Sequence, residues 1–340
     1  MELNKSNKIN FWNDHTLNDF EPIAYLHKVH SHKINYICFL KDGRIASSEE
    51  KCVLIFNKIT FKKELIILET KQIKYMNITK DGILINCLCS TFLNLYEING
   101  KKYKIIQTIK PYSLFKKIIN IFYDYSSILK FKELKNEDLV FFACGYGICF
   151  YRKNKGSKKY SYLTKYSEKK ANENITDLIE LDNNQYIILF HYQHMIQFLD
   201  MNSKKINKII KYDIDFYLPY FKDNLLLMNK NDLFLLLDRK ILIIDIQKKE
   251  IIKEIYLNGD VCSMYKISSN ILIVGYWFNY IEKLEYDEIK KKFKVISKTK
   301  MEVDEDYSFE ISSIGIYKNN LIVTPYNNQS YPSLIIYKYK

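Results

Sequence analysis

The chain has 340 residues, and its 52 lysines and arginines outnumber its 39 aspartates and glutamates, giving a formal net charge of +13. With 47% hydrophobic and 27% charged residues, a chain of this length can fold without disulfides or a structural metal. Only 9 glycines and 5 prolines stand against 29 tyrosines and 20 phenylalanines, which excludes collagen-like and linker-like chains and favours β-strands.

The cysteines and the N-terminus predict the compartment. The number of cysteines, 7, is odd, and most lie in apolar strand-like runs, where a free thiol packs as a small hydrophobic group. Met1–Lys8 has no apolar segment typical of a signal peptide, and no run of about 18 apolar residues predicts a membrane-spanning helix. We therefore expect a reducing, cytoplasmic location, with the nucleus left open.

A strand–turn pattern dominates the chain. In the segment 32–57, the turns Lys41-Asp42-Gly43 and Glu49-Glu50-Lys51 separate three short apolar runs, and the same order recurs seven times. The predicted first strands are Ile34–Leu40, Ile73–Thr79, Ile128–Leu134, Ile175–Leu181, Leu225–Asn229, Val261–Ile267 and Ile311–Tyr317. The predicted second strands are Arg44–Ser48, Ile83–Cys87, Leu139–Ala143, Tyr186–Phe190, Leu233–Leu237, Ile271–Gly275 and Leu321–Pro325. The predicted third strands are Cys52–Asn57, Phe92–Glu97, Ile148–Arg152, Met195–Asp200, Ile241–Ile246, Tyr280–Glu285 and Ser333–Lys338.

A fourth strand fits after six of these units. The predicted fourth strands are Lys63–Leu68, Tyr103–Ile109, Lys159–Leu163, Ile206–Lys211, Ile251–Tyr256 and Phe293–Ser297. Four strands in roughly 40–45 residues are the period of a β-propeller blade. The sequence thus predicts an all-β fold, a seven-bladed β-propeller of four-stranded antiparallel blades. Since the chain ends after the seventh third strand, we expect Pro22–His27 to supply the last outer strand.

Blade one carries a resemblance to the WD40-repeat family, which extends over nearly the whole chain. His30-Ser31-His32 stands where the family has Gly-His, Lys41–Ser48 resembles its Asp-Gly-x-x-Ala-Ser-Gly run, and Ile55-Phe56-Asn57 resembles its closing Ile-Trp-Asp. The closing pairs of the other blades are Tyr96-Glu97, Tyr151-Arg152, Leu199-Asp200, Ile244-Asp245, Leu284-Glu285 and Tyr337-Lys338. The resemblance is to a divergent member, because no blade has Trp-Asp. We expect one propeller over residues 19–340 and a loosely ordered extension at residues 1–18, in which Asn10–Asp14, with Trp12, packs on the outside.

In the family, a histidine, a serine, an aspartate and a tryptophan form a buried hydrogen-bonded set. The resemblance implies that His32, Ser47, Glu50 and Phe56 are the counterparts here, with Phe56 unable to donate as an indole does. The alternate spacing of His30 and His32 could also suit a metal. No neighbouring carboxylate or cysteine completes a metal site, so we interpret His32 as structural.

The aromatic residues near the turns predict a binding surface. Tyr146, Tyr192, Trp277, Phe278 and Tyr326 fall between second and third strands, and Tyr217 and Tyr220 fall in a long loop before a first strand. The WD40 resemblance implies that these turns and loops share one rim of the propeller. Aromatic side chains dominate the energetics of protein interfaces, so we expect this rim to bind partners.

No nucleotide-binding, nucleophile-elbow or metalloprotease motif occurs, and no carboxylate pair or metal-ligand cluster can be assigned. We therefore expect no enzyme, no cofactor and no metal, and a scaffold that binds protein or peptide partners, within a multiprotein complex.

Two alternatives rest on the positive charge. A basic surface could bind RNA within a ribonucleoprotein, which predicts steeply salt-dependent affinity. Phosphoinositide-binding propellers share a Phe-Arg-Arg-Gly motif, and the nearest stretch here, Leu237-Asp238-Arg239-Lys240, lacks the paired arginines and the glycine. We interpret the short lysine runs Lys116-Lys117, Lys158-Lys159 and Lys290-Lys291-Lys292 as solvated strand ends rather than as a phosphate-binding patch.

Overall fold

The computed structural model of the chain describes residues 11–12, 20–88, 92–110, 130–143, 147–166, 175–182, 184–190, 193–213, 224–276, 280–301, 314–317, 321–326 and 332–339. These residues contain 29 β-strands and no helix. None of them forms a helix long and apolar enough to cross a bilayer.

The strands follow one another in short antiparallel hairpins, in chain order as follows. The N-terminal strands are β1 (Phe11–Trp12) and β2 (Phe20–Leu26). Blade 1 contains β3 (Tyr36–Phe39), β4 (Ile45–Ser48), β5 (Cys52–Phe56) and β6 (Lys63–Leu68). Blade 2 contains β7 (Ile73–Ile78), β8 (Leu84–Leu88), β9 (Phe92–Asn99) and β10 (Lys102–Ile109). Blade 3 contains β11 (Lys130–Glu133), β12 (Leu139–Ala143), β13 (Gly147–Lys153) and β14 (Tyr160–Tyr166).

The second half of the chain repeats the pattern. Blade 4 contains β15 (Ile175–Glu180), β16 (Gln185–Phe190), β17 (Met195–Asp200) and β18 (Lys205–Lys211). Blade 5 contains β19 (Leu225–Leu227), β20 (Asp232–Leu236), β21 (Lys240–Asp245) and β22 (Glu250–Tyr256). Blade 6 contains β23 (Val261–Lys266), β24 (Ile271–Tyr276), β25 (Tyr280–Asp287) and β26 (Lys292–Met301). Blade 7 contains β27 (Gly315–Tyr317), β28 (Leu321–Tyr326) and β29 (Ser333–Tyr339).

Seven antiparallel sheets arranged as blades confirm the predicted seven-bladed propeller. In blades 1 to 6 the strands are ordered in space as in the chain. The first strands of neighbouring sheets lie against one another, as β3 does with β7 and β27, and β15 with β11 and β19. These strands therefore surround the central axis, and the fourth strands lie at the periphery.

The predicted closure of the ring is confirmed. Strand β2 pairs antiparallel with β29, with Phe20 opposite Tyr339 and Leu26 opposite Leu334, so blade 7 is completed from the N-terminal part of the chain. Strand β1 adds a fifth strand at the outer edge of blade 6, where Phe11 lies opposite Met301. The two ends of the propeller chain are thereby joined within one sheet, which leaves no open edge between the first and last blades.

The core is a ring of apolar layers between blades. Seven clusters of buried side chains each combine residues of two consecutive blades, from the layer of blades 1 and 2 to the layer of blades 7 and 1. Second and third strands such as β20 and β21 are buried on both faces, which explains their continuous apolar sequence, while outer strands such as β18 and β22 are half-buried to exposed. Cys38, Cys87, Cys149 and Cys262 are buried free thiols in this core, and Cys52 is half-buried. Burial raises the pKa of the Cys87 thiol.

Among the strand boundaries that differ from the prediction, two have clear local causes. Strand β19 ends at Leu227 rather than Asn229, because the Asn229 Oδ1 atom accepts the backbone N–H groups of Asn231 and Asp232 at 2.8 and 2.7 Å and starts the turn. Strand β25 extends to Asp287, two residues beyond the predicted closing pair Leu284-Glu285, and Leu284 lies opposite Leu272 as Ile244 lies opposite Leu233 in blade 5. The Asp287 carboxylate accepts the N–H groups of Ile289 and Lys290 at 3.0 and 2.9 Å, as Asp245 does in blade 5.

Candidate functional site

The propeller has two ends, which differ in the connections that they carry. The loop face carries the connections from second to third strands, such as 49–51 and 237–239, and those from one blade to the next, such as 69–72 and 257–260. The opposite end, the hairpin face, carries the connections from first to second and from third to fourth strands. The predicted rim belongs to the loop face.

Most of the predicted rim lies outside the described residues. This holds for Tyr146, Tyr192, Trp277, Phe278, Tyr217 and Tyr220. Tyr326 is the last residue of β28. The rim therefore stays a prediction. The structure describes residues of the strands that the predicted rim connections join.

The described part of blade 6 forms a rigid aromatic base on the loop face. Tyr276 ends β24 and Tyr280 begins β25, and only 277–279 lie between them. The two rings stack with centroids 4.1 Å apart and an interplanar angle of 17°. Both side chains are buried, at 0% and 8% exposure, so the two ends of the connection with Trp277 and Phe278 are fixed by packing.

A buried carboxylate supports this base. The Tyr276 hydroxyl donates to Glu282 Oε2 at 2.6 Å, and Lys298 Nζ lies 3.1 Å from Glu282 Oε1. Lys298 also lies 4.1 Å from the centroid of the Tyr280 ring, in cation–π geometry. Burial, together with the Glu282 charge, raises the pKa of Tyr280 to about 12 and that of Tyr276 further. Both phenols are therefore neutral donors at physiological pH.

The neighbouring connection from blade 5 closes over the stack. A Cβ atom on Gly259 would lie 2.5 Å from the Tyr280 hydroxyl oxygen, so only glycine fits there with the ring in this position. Arg239 of the turn in blade 5 forms an ion pair with Asp260 of the same connection. The loop face at blades 5 and 6 thus combines an exposed guanidinium with a packed aromatic base.

In blade 1 the structure brings a different histidine to Ser47. The His30 Nε2 atom lies 2.6 Å from Ser47 Oγ, and the His30 side chain is fully buried. The predicted residue, His32, is 59% exposed and does not contact Ser47. Phe56 is buried at 2% exposure, in the apolar layer between blades 7 and 1.

The carboxylate of this set is also one residue away from the predicted position. Glu50 is exposed, whereas Glu49 accepts the backbone N–H groups of Ser31 and His32 at 2.9 and 2.8 Å. Its Oε2 atom lies 3.6 Å from His30 Nδ1. Burial opposes ionisation of Glu49, but the His30 ring, the His32 backbone N–H and the Ser31 hydroxyl outweigh it and lower the pKa of Glu49 to about 2. Glu49 is therefore an ionised clamp that holds the connection from blade 7 to blade 1.

Blade 2 contains a buried polar network that the sequence did not reveal. Glu69 Oε1 accepts from Asn86 Nδ2 at 2.7 Å and from the Tyr96 hydroxyl at 2.6 Å, and Glu69 Oε2 accepts from Asn94 Nδ2 at 2.9 Å. All four side chains are buried. Burial, with Glu69 as the next cause, raises the pKa of Tyr96. The pattern of asparagine in the middle of two apolar runs was the only sequence signal for this network.

Polar groups join the first strands of neighbouring blades around the axis. At the hairpin ends of these strands a cavity of about 430 Å³ opens, lined by residues that include Glu133, Glu180 and Lys266. Lys132 Nζ lies 2.6 Å from the buried Asp177 Oδ1, and Asp177 Oδ2 accepts the backbone N–H of Leu225 at 2.8 Å. Glu133 accepts the backbone N–H of Lys80 at 2.6 Å. These groups tie blades 2 to 5 together. Among the described residues, no group of three or more histidine, cysteine, aspartate or glutamate side chains is arranged to hold a metal ion.

Comparison with solved structures identifies the type of propeller. The chain is similar to the structure of U3-55K, with a TM-score of 0.70 and 11% identity over 93% of this chain and 98% of that chain. It is similar to the crystal structure of RRP9 WD40 repeats, with a TM-score of 0.70 and 10% identity over 97% of this chain and 100% of that chain. The chain has the WD40 propeller fold.

A part of a larger protein has a similar fold. The crystal structure of Chaetomium thermophilum Raptor matches with a TM-score of 0.70 and 10% identity, over 95% of this chain and 29% of that chain. No protein-family model and no curated protein matches the chain. At these identities the likeness concerns the fold, and the WD40 resemblance seen in blade 1 agrees with it.

Proposed function

We propose that this WD40 propeller is a non-catalytic scaffold that binds protein or peptide partners through its loop face. The fold supports this role, because seven blades closed by β2 present the loops on a rigid frame, so little conformational entropy is lost on binding. The observation that carries the proposal is the Tyr276–Tyr280 stack, which fixes both ends of the connection containing Trp277 and Phe278.

The charges around the stack suit a polar interface with an aromatic centre. Arg239 is 60% exposed beside Asp260, and Lys298 is 39% exposed over the Tyr280 ring. Aromatic residues and arginine are the side chains that most often carry the binding energy of interfaces. We expect Trp277, Phe278 and Tyr146 to provide most of the affinity, with Tyr192, Tyr217, Tyr220 and Tyr326 extending the contact.

The test is a triple variant, Trp277→Ala/Phe278→Ala/Tyr146→Ala, compared with wild type by affinity purification and quantitative mass spectrometry. A matched control, Tyr103→Ala/Tyr162→Ala/Tyr256→Ala, removes three exposed aromatic rings from outer strands of blades 2, 3 and 5. We expect the rim variant to lose at least tenfold of the recovered partners and the control to retain them. If the rim variant is folded and recovers the same partners as wild type, the proposal is wrong.

Multiprotein assembly, a cytoplasmic location and the two alternatives of RNA and phosphoinositide binding remain predictions of the sequence. The structural neighbours support the propeller scaffold and leave these finer assignments to experiment.

A further inference from the structure

The lysines that are scattered along the sequence gather on one end of the propeller. Each of blades 1 to 6 has a hairpin between its third and fourth strands, at 57–63, 99–102, 153–159, 200–205, 245–250 and 287–292. Every one of these hairpins contains two adjacent lysines: Lys62-Lys63, Lys101-Lys102, Lys158-Lys159, Lys204-Lys205, Lys248-Lys249 and Lys291-Lys292. Because these hairpins all belong to the hairpin face, the six pairs form a ring around its edge.

The ring is strongly positive. The six hairpins hold 16 lysines and 5 carboxylates, in a chain whose whole net charge is +13. Three of the carboxylates are used within their own turns, where Asp200, Asp245 and Asp287 accept the N–H groups of Asn202, Gln247 and Ile289 at 2.8 to 3.0 Å. The aspartates thus fix the hairpins from within, and the lysines project from them.

Several of these lysines have no ion-pair partner among the residues that the structure describes. Lys158 pairs with Glu97 at 2.6 Å, and Lys291 pairs with Asp232 at 2.7 Å. In contrast, five exposed lysines of the ring form no ion pair or side-chain hydrogen bond with the described part of the chain: Lys101, Lys102, Lys204, Lys205 and Lys248. A cluster of unneutralised charge on one face costs free energy through mutual repulsion, which an anionic partner would relieve.

Two of the hairpins also present apolar tips. Ile59 of blade 1 is 76% exposed, and Ile289 of blade 6 is 93% exposed. Each lies beside lysine in its turn, Lys58 in the first case and Lys290 in the second. Blades 1 and 6 flank blade 7, so the two isoleucines lie on the same side of the face. An aliphatic side chain held almost fully in water at a turn tip gains free energy when it enters an apolar environment.

We propose that the hairpin face binds the surface of an anionic lipid bilayer. The lysine pairs would contact anionic headgroups, and the Ile59 and Ile289 tips would enter the boundary between headgroups and acyl chains. A flat bilayer can meet lysines from several blades at once, because the hairpins between third and fourth strands of blades 1 to 6 all lie on the same face. The loop face stays free for protein partners, so this inference does not depend on the proposed function.

The side chains of the ring favour a bilayer over a nucleic acid. The six hairpins contain lysine and no arginine, although arginine is the residue that best matches phosphate in nucleic-acid recognition. Their exposed apolar tips are isoleucines, whereas proteins that bind single strands offer aromatic rings on which bases stack. Aliphatic tips between lysines are the combination that inserts into an anionic interface.

The experiment measures co-sedimentation of the full chain with vesicles of phosphatidylcholine alone and of phosphatidylcholine with about one third phosphatidylserine. We expect binding to the anionic vesicles only, weakening as salt rises because screening shortens the reach of the charges. Each lysine near such a surface is worth roughly fivefold in affinity. The variant Lys101→Gln/Lys102→Gln/Lys204→Gln/Lys205→Gln should therefore bind at least tenfold more weakly.

The matched control removes the same charge elsewhere. Lys51→Gln/Lys208→Gln/Lys211→Gln/Lys294→Gln changes four exposed lysines outside the hairpins and should bind within about twofold of wild type. Ile59→Ser/Ile289→Ser should weaken vesicle binding several-fold, while Leu68→Ser/Ile105→Ser, at two exposed positions of outer strands, should not. Comparing Ile59→Ser/Ile289→Ser with Leu68→Ser/Ile105→Ser separates insertion of the apolar tips from attraction by the lysine charges.

Three results would overturn the proposal. The first is absence of binding to phosphatidylserine vesicles at low salt. This result overturns the proposal whether or not a single-stranded RNA oligonucleotide binds through the same lysines. The second is equal loss in the hairpin and control lysine variants. The third is binding at least tenfold tighter to phosphoinositide vesicles of equal total charge, because that would indicate a headgroup-specific pocket instead of a charged face.

Discussion

The Tyr96 hydroxyl donates a 2.6 Å hydrogen bond to the Glu69 carboxylate, at the place in blade 2 where blade 1 has Phe56 and His30. Strand pairing shows the correspondence, because Tyr96 lies opposite Leu84, the first residue of β8, as Phe56 lies opposite Ile45, the first residue of β4. Two neighbouring blades thus fix the connection before their first strand with different side chains. Blade 1 uses histidine and serine, and blade 2 uses a carboxylate with amide and phenol donors.

We predict that Tyr96→Phe destabilises the protein by about 1.5–3 kcal/mol, because it removes a hydrogen bond to a buried charged acceptor. The measurement is the midpoint of urea unfolding. Tyr103→Phe, at a neighbouring ring that is 40% exposed, is the control and should change stability by less than about 0.5 kcal/mol. Equal stability of the two variants would mean that the hydrogen bond from Tyr96 to Glu69 does not contribute to the free energy of unfolding.

The Glu49 clamp predicts a dependence of stability on pH. The folded pKa of Glu49, about 2, is below the value of about 4.3 expected for an unfolded chain. The unfolded state therefore binds a proton more readily, so the stabilisation is fully present above about pH 4.5 and is lost as pH falls toward 2. After allowance for solvent screening we expect about 1–2 kcal/mol.

The measurement for Glu49 compares wild type with Glu49→Gln by unfolding at a series of pH values. The difference in unfolding free energy should be constant from about pH 7 to 5 and should shrink at lower pH. Glu50→Gln, at the exposed neighbour, supplies the control and should show no such trend. A constant difference between wild type and Glu49→Gln down to about pH 2.5 would contradict the assignment.

The number of blades and their closure could be predicted because turn chemistry and apolar runs are local signals. Asp-Gly turns and short runs recur at the blade period, and the missing outer strand had one candidate near the N-terminus. The histidine was predicted at His32 instead of His30 because both residues fall in the stretch that matches the family's Gly-His, and only the packed connection shows which ring reaches Ser47.

The blade 2 network and the lysine ring could not be read from the sequence for a different reason. The resemblance draws attention to histidine and serine, so a buried set of Glu69, Asn86, Asn94 and Tyr96 carries no motif. Lysine pairs about 40–60 residues apart look scattered along a chain, and only the propeller brings them to one face. Proximity in space between repeats follows from the fold and not from any one segment.

Two glycines with positive φ allow backbone conformation to be separated from crowding. Gly43 has φ of 89°, and a Cβ atom there would lie 2.7 Å from Cζ of Tyr317 in blade 7. Gly100 has φ of 57°, and a Cβ atom there would meet no atom within 4 Å.

We predict that Gly100→Ala lowers the free energy of unfolding by about 1 kcal/mol from backbone conformation alone. Gly43→Ala should lower it by about 1–3 kcal/mol more, because the added methyl group pushes blade 7 away from blade 1. Thermal unfolding of the two variants measures the difference, and equal midpoints would show that the closure between these blades tolerates the added methyl group.

The buried Glu282 carboxylate predicts that the effects of substituting Glu282 and Lys298 on the free energy of unfolding are coupled. Glu282 is 1% exposed, and Lys298 is its only cationic partner among the ion pairs of the described residues. Lys298→Met leaves an ionised carboxylate without its counter-charge, so we expect a loss of about 3 kcal/mol. Lys294→Met, at an exposed lysine of the same strand, should cost less than about 0.5 kcal/mol.

The double variant Glu282→Gln/Lys298→Met should regain at least half of the loss, because the amide needs no cation and can still accept from Tyr276. Urea unfolding of the four proteins tests the coupling. If the double variant is as unstable as Lys298→Met, Lys298 stabilises blade 6 by packing on the Tyr280 ring. Its ion pair with Glu282 would then contribute nothing to the free energy of unfolding.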